Sequence, residues 1–180
     1  IPSRGFWPRE GSPEAMGVGR NLTGTDATLT KLVQLHNRYG RGEFTPRSTT
    51  ADVLVFERRT PTGGGNYVGN VLVGVNDRYD AGFDEVVVTT SLPPGTRLWE
   101  LTGNANDPVV DATNSLSDLL IVGTATPAVG ANQVRIRVPR NKTNATEHNK
   151  GFVVYGPATP SGTLAISAGL NSTIPPDGGG

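Results

Sequence analysis

Between residues 27 and 39 the chain places Leu29, Leu32, Val33 and His36 at positions i, i+3, i+4 and i+7, with Leu35 widening the stripe. That spacing predicts an amphipathic helix. Thr25 or Asp26 can cap its start, and Gly40 is placed to end it in a left-handed conformation. From Thr49 onward the period becomes two. Strands are predicted at 51–58 (ADVLVFER), 70–77 (NVLVGVND), 85–92 (EVVVTTSL), 96–102 (TRLWELT) and 118–124 (DLLIVGT). The alternation is cleanest at 132–139 (NQVRIRVP), where Val134, Ile136 and Val138 face inward and Arg135 and Arg137 face water. Segments 151–155 (GFVVY) and 163–167 (TLAIS) close the series.

Gly- and Pro-bearing turns separate most of these segments, as at Gly63-Gly64-Gly65, Pro93-Pro94-Gly95 and Gly156-Pro157. Seven to eight short strands at this spacing predict an antiparallel β-sandwich. The expected fold class is therefore mostly β, one sandwich preceded by one α-helix. The expected organisation is a loop and single helix over 1–48, a sandwich over 49–168 and a Pro/Gly-rich tail over 169–180. No internal repeat is visible.

Composition agrees with many turns between short strands: 24 Gly and 14 Pro in 180 residues, with no fixed period. Basic and acidic residues balance at 16 each, so no positive field exists to hold nucleic acid. No stretch approaches the roughly 20 apolar residues that span a bilayer, so a soluble chain without a membrane partner is expected. The absence of Cys excludes disulfides and thiolate metal sites. Four glycosylation sequons begin at Asn21, Asn141, Asn144 and Asn171, two of them packed into one polar loop. They favour an extracellular or secreted location. The chain begins with Ile rather than Met and ends in Pro175-Pro176-Asp177-Gly178-Gly179-Gly180, which reads as a processed or trimmed piece with a linker-like end.

Candidate chemistry is sparse. Glycoside hydrolysis needs two carboxyl groups roughly 5 to 9.5 Å apart across the scissile bond. Asp84 and Glu85 are strand neighbours and point to opposite faces, while Glu10 and Glu14 lie in an aperiodic loop; ordinary solvated charge accounts for both pairs. His36 lies on the helix stripe and His148 beside the paired sequons, and no G-x-S-x-G elbow offers a nucleophile. No cofactor is implied, except that Asn76, Asp77, Asp80 and Asp84 crowd one loop and could supply oxygens to calcium, or simply form turns. Sugar contact would use flat aromatic faces, for which Tyr67, Tyr79 and Trp99 are the candidates. Trp99 alternates with Leu98 on its strand, so it is either core or platform.

One helix followed by a sandwich is familiar as the end of a larger enzyme. Leu29 to Tyr39 (LTKLVQLHNRY), a short link through Phe44, and 51–58 (ADVLVFER) resemble glycoside hydrolase family 13 at its last barrel helix and the first strand of its C-terminal β domain. Val71-Leu72-Val73-Gly74-Val75-Asn76 is similar to that domain's second strand. Segments 86–96 (VVVTTSLPPGT) and 98–103 (LWELTG) follow its next pattern, and 134–138 with 151–155 match its closing strands. The resemblance spans about residues 27 to 156. It implies a non-catalytic C-terminal sandwich of a secreted α-glucan-acting enzyme, with the catalytic barrel of the same protein and carbohydrate as partners. The family's catalytic Asp, Glu and Asp lie on earlier barrel strands, so no residue here inherits those roles. The rival expectations are a glycosylated structural protein of a surface layer or fibre, self-associating through strand edges, and a carbohydrate-binding module.

Overall fold

A computed structural model describes residues 28–143, 146–148 and 150–157. The helix α1 spans Thr28–Tyr39. Strands β1 (Glu43–Thr49), β2 (Val53–Gly63), β3 (Asn66–Asn76), β4 (Phe83–Thr89) and β5 (Arg97–Glu100) follow. Then come β6 (Leu119–Ile121), β7 (Gln133–Pro139), the short pair β8 (Lys142–Thr143) and β9 (Thr146–Glu147), and β10 (Phe152–Pro157).

One layer is a six-stranded sheet in the order β1-β2-β3-β10-β5-β6, antiparallel throughout. The other is the antiparallel pair β4-β7. Between the layers, Val53, Val55, Leu72, Leu98, Val153 and Tyr155 of the large sheet pack with Val88, Val134, Ile136 and Val138 of the small one. The expected mostly-β sandwich is thus the fold observed. Val134, Ile136 and Val138 are buried as their alternation predicted, and Arg135 and Arg137 face outward to Glu85. Tyr155 is fully buried and donates its hydroxyl to the Ser117 carbonyl at 2.7 Å, so its polar end is satisfied inside the core.

Helix α1 forms a third layer on the outer face of the six-stranded sheet. Leu32, Leu35 and Tyr39 lie over Phe56, Val71, Val73 and Val154. Lys31 donates to the Thr102 carbonyl and anchors the helix to the end of β5. This corrects the expected stripe: Val33 is half exposed, and Tyr39, which the spacing did not include, lies against the sheet instead. Gly40 closes the helix through a 2.8 Å bond to the His36 carbonyl, but it is Gly42, at φ 97°, that is left-handed.

Strand β1 falls where the sequence reads as a link. It is an edge strand, which is where Pro46 can sit without removing a ladder bond. A bulge between Pro46 and Ser48 frees Arg47 from the register. Arg47 then reaches Glu57 of β2, whose side chain is fully buried, donating through Nε at 2.8 Å and again through Nη2. Thr90 Oγ1 at 2.7 Å and the Ser91 amide at 3.0 Å donate to the same carboxylate. Gly69 on β3 makes room for it: a Cβ there would lie 2.0 Å from Glu57 Oε1 and 2.7 Å from Leu92 Cγ. The expected strand at 163–167 lies outside the described residues.

Removing one partner of a buried ion pair strands a charge without water, at a cost of about 3–5 kcal/mol. Arg47→Met is therefore expected to lower unfolding stability by about that amount, while adding Glu57→Leu in the same chain recovers much of it. Urea unfolding of the three proteins measures both. A single variant that unfolds at the wild-type urea concentration would contradict the assignment.

Candidate functional site

The outer face of the six-stranded sheet is apolar well beyond the helix. Phe56, Val73 and Val154 stand in register across β2, β3 and β10, and α1 covers them. The next row, Leu54, Val75 and Phe152, is also in register, and Val75 remains 40% exposed. On the other flank Trp99 pairs with Gly156 and Leu119 and is 41% exposed. Phe44 stacks on Phe56 with ring centroids 4.9 Å apart and is also largely open, as is Val33 on the helix. An apolar groove of about 180 Å³ runs between α1 and the sheet, with His36 and Gly40 at its margin. Exposed apolar side chains on both flanks of a packed helix offer a place where other protein can pack. Sequence spacing anticipated an apolar helix face, but not an apolar sheet face on both sides of it.

The acidic loop after β3 is a network of ion pairs. Arg140 binds Asp84 with two parallel bonds of 2.8 and 3.0 Å, and Arg78 adds a third at 3.1 Å. The Asn76 amide donates to the same carboxylate at 2.9 Å. Asp80 also meets Arg140, at 3.2 Å. Asp77 is exposed, and its amide N–H bonds to the Asp52 carbonyl. Among the described residues no group of three acidic or histidine side chains is placed to hold a metal. The oxygens of Asp80 and Asp84, weighed for calcium, are here directed at guanidinium groups. The bidentate Arg140, with help from Asn76 and against some burial, pulls the Asp84 carboxyl down from 3.8 to about 2.

Asp84 and Glu85 do point apart. Glu85 is held between Arg137 and Arg135, at 2.8 and 2.6 Å, and both depress its pKa. His148 is half-buried, which lowers its pKa, and its Nδ1 accepts the Lys150 amide at 3.0 Å. Glu10 and Glu14 lie outside the described residues.

The aromatic candidates are dispersed. Tyr67 stands near the start of β3 with the Arg59 guanidinium 3.9 Å above its ring, so that face is taken. Tyr79 follows the other end of β3 and is 62% exposed. Trp99 belongs to the apolar sheet face, whereas Leu98 is the core residue of that strand. Among the sequons, Asn21, Asn144 and Asn171 lie outside the described residues. Asn141 ties two loops: its Nδ2 donates to the Asn76 carbonyl at 2.8 Å and its Oδ1 accepts the Gly151 amide at 3.0 Å. Among the described residues no helix is long and apolar enough to cross a membrane.

No family model matches the chain, and no curated protein matches it. A similar solved structure is a mutant of α-amylase I from Eisenia fetida in complex with maltohexaose, with a TM-score of 0.41 and 16% identity. The match covers 70% of this chain and 21% of that one, so this chain corresponds to about a fifth of the enzyme's length. At that TM-score and identity the likeness has no weight of its own.

The lowered pKa of Asp84 fixes the sign of a pH effect. A carboxylate favoured in the folded state adds stability above its unfolded pKa, and that stability fades as pH falls toward the folded value. Stability is therefore expected to drop between about pH 4 and pH 2, with Glu85 acting in the same direction. Asp84→Asn should be less stable than wild type at neutral pH and nearly equal to it near pH 2. Denaturant unfolding across this range is the check, and a constant gap between the two proteins would contradict it.

Proposed function

We propose that this chain is the non-catalytic C-terminal sandwich of a secreted, α-glucan-acting glycoside hydrolase, and that its outer sheet face packs against that enzyme's catalytic barrel. The observation that carries the reading is the apolar face that holds α1 and continues past it to Val75 and Trp99. A finished, free-standing sandwich would cover or charge such a surface. A barrel that also contributes the preceding helix would bury both flanks together.

The sequence resemblance gives this surface its partner. Its helix motif lies on α1 and its first strand motif on β2, so the segment likened to the last barrel helix is the one seated on this face. The role that follows is mechanical. The sandwich buries the helix, and through it the barrel's closing edge, by apolar contact worth about 25 cal/mol for each Å² removed from water. The arginine-bound carboxylates Asp84 and Glu85 serve structure, and chemistry belongs to residues outside this chain. Secretion and glycosylation at some of the sequons complete the proposal.

The isolated 180-residue chain is expected to release no reducing sugar from soluble starch; measurable release would overturn the reading. It should also self-associate as concentration rises, because the uncovered face has no partner. In sedimentation velocity, Val75→Lys with Trp99→Lys should restore a monomer. A wild-type chain that stays monomeric at all concentrations would show that the face needs no cover.

A further inference from the structure

Strand β10 lies inside the six-stranded sheet, between β3 and β5, and the chain enters it through a corner held by hydrogen bonds. Asn141 Nδ2 donates to the Asn76 carbonyl at 2.8 Å, and Asn141 Oδ1 accepts the Gly151 amide at 3.0 Å. The Asn76 amide in turn donates to the Gly151 carbonyl at 2.7 Å. Gly151 is buried, and a Cβ there would lie 2.3 Å from the Asn76 carbonyl oxygen, so the crossing has no slack. One residue earlier, the Lys150 ammonium donates to Asp107 at 2.9 Å and ties the corner to the 104–111 loop. The Lys150 amide donates to His148 Nδ1 at 3.0 Å, and the His148 amide donates to the Asn141 carbonyl at 3.0 Å. Of these side chains, His148 is the one whose charge changes near neutral pH.

A ring nitrogen that accepts a hydrogen bond carries no proton, so His148 is neutral here, with its hydrogen on Nε2. Nε2 is itself buried and makes no hydrogen bond. A second proton would place an N–H on Nδ1 against the Lys150 N–H, two donors with no acceptor between them. Among the described residues, the charged groups facing the ring are Lys150 on its own segment and Asp107 from the 104–111 loop. The end of β7 contributes the main chain of Arg140, near the ring but not bonded to it. Burial and the Lys150 charge disfavour the imidazolium, and they outweigh Asp107 and the Arg140 main chain. We infer that His148 is an acid-sensitive latch on the entry to β10: when the ring takes a proton, the Lys150 amide loses its acceptor and the corner opens while the core stays folded. The sign follows from a histidine whose pKa is lowered by folding. Its stabilising contribution is complete above the unfolded value, about 6.5, and fades as pH falls through the folded one. Phe152 follows the corner and stands in the apolar row with Leu54 and Val75, so opening loosens the margin of the face proposed to hold a partner. The latch itself does not depend on that proposal.

Amide hydrogen exchange on the full chain tests this at Lys150, read by NMR at about pH 7.5 and about pH 5 against the intrinsic rate at each pH. Both conditions lie above the range in which Asp84 and Glu85 titrate. The expected result is a loss of Lys150 protection of at least about tenfold at the lower pH, with the core amide of Leu72 unchanged. The His148 ring, identified by the signal that His148→Gln removes, should titrate below about 6.5. In His148→Gln, whose side chain takes no proton, Lys150 protection should be the same under both conditions. Equal Lys150 protection under both conditions in the wild type would overturn the proposal, as would a ring that titrates at or above about 6.5. An equal loss at Leu72 would make the change global, and the same loss in His148→Gln would assign it to another group. Either result also overturns the latch.

Discussion

The carboxylate of Glu57 sits at the one point where three parts of the sandwich must agree. It lies on β2, next to the edge strand β1 on the large sheet's inner face, and takes donors from β1 and from the corner where the chain leaves β4. A fully buried carboxylate without those donors would cost several kcal/mol, so its presence forces Arg47, Thr90 and Ser91 into place. Arg47 can reach it only because β1 is bulged. Gly69 is required beside it because any side chain there would collide with the carboxylate. The seam between β1 and β4 is therefore closed by polar chemistry. The opposite seam, between β6 and β7, is joined instead by a main-chain bond, Gly123 N to the Gln133 carbonyl at 2.8 Å.

The same asymmetry runs through the layers. The inner face of the six-stranded sheet is matched to β4 and β7, and its core residues are almost wholly buried. The outer face is also apolar along Leu54, Phe56, Val73, Val75, Phe152 and Val154, and among the described residues one helix covers part of it. A sheet built apolar on both faces expects material on both sides. The ion pairs are placed accordingly. The Asp84 and Glu85 clusters stand on or beside the two-stranded layer and its loops, and leave the outer face of the large sheet free of them.

How much of this could be read from the residues depended on where each strand found its partner. Strand β7 was legible because Val134, Ile136 and Val138 all meet apolar neighbours, so hydrophobic alternation shows the fold directly. Strand β1 was not, because its inward positions are Thr45 and Arg47 and its partner is a carboxylate. A buried ion pair leaves no apolar signal; the hint was a Glu in the middle of the run VLVFER. The acidic loop was legible as a cluster, but not as a salt-bridge network. Arg140 lies some sixty residues from it in sequence and is brought there only by the pairing of β4 with β7. The helix was legible in position and not in rotation, since spacing alone could not separate Val33 from Leu35 and Tyr39.

The central claim is that this sandwich is one part of a larger hydrolase, and its most direct test is the mass of the native polypeptide after enzymatic removal of glycans. The account predicts a mass well above 18.9 kDa, with peptides of a β/α barrel upstream of Ile1. A native polypeptide of about 18.9 kDa would contradict it and would leave the apolar outer face to some other partner.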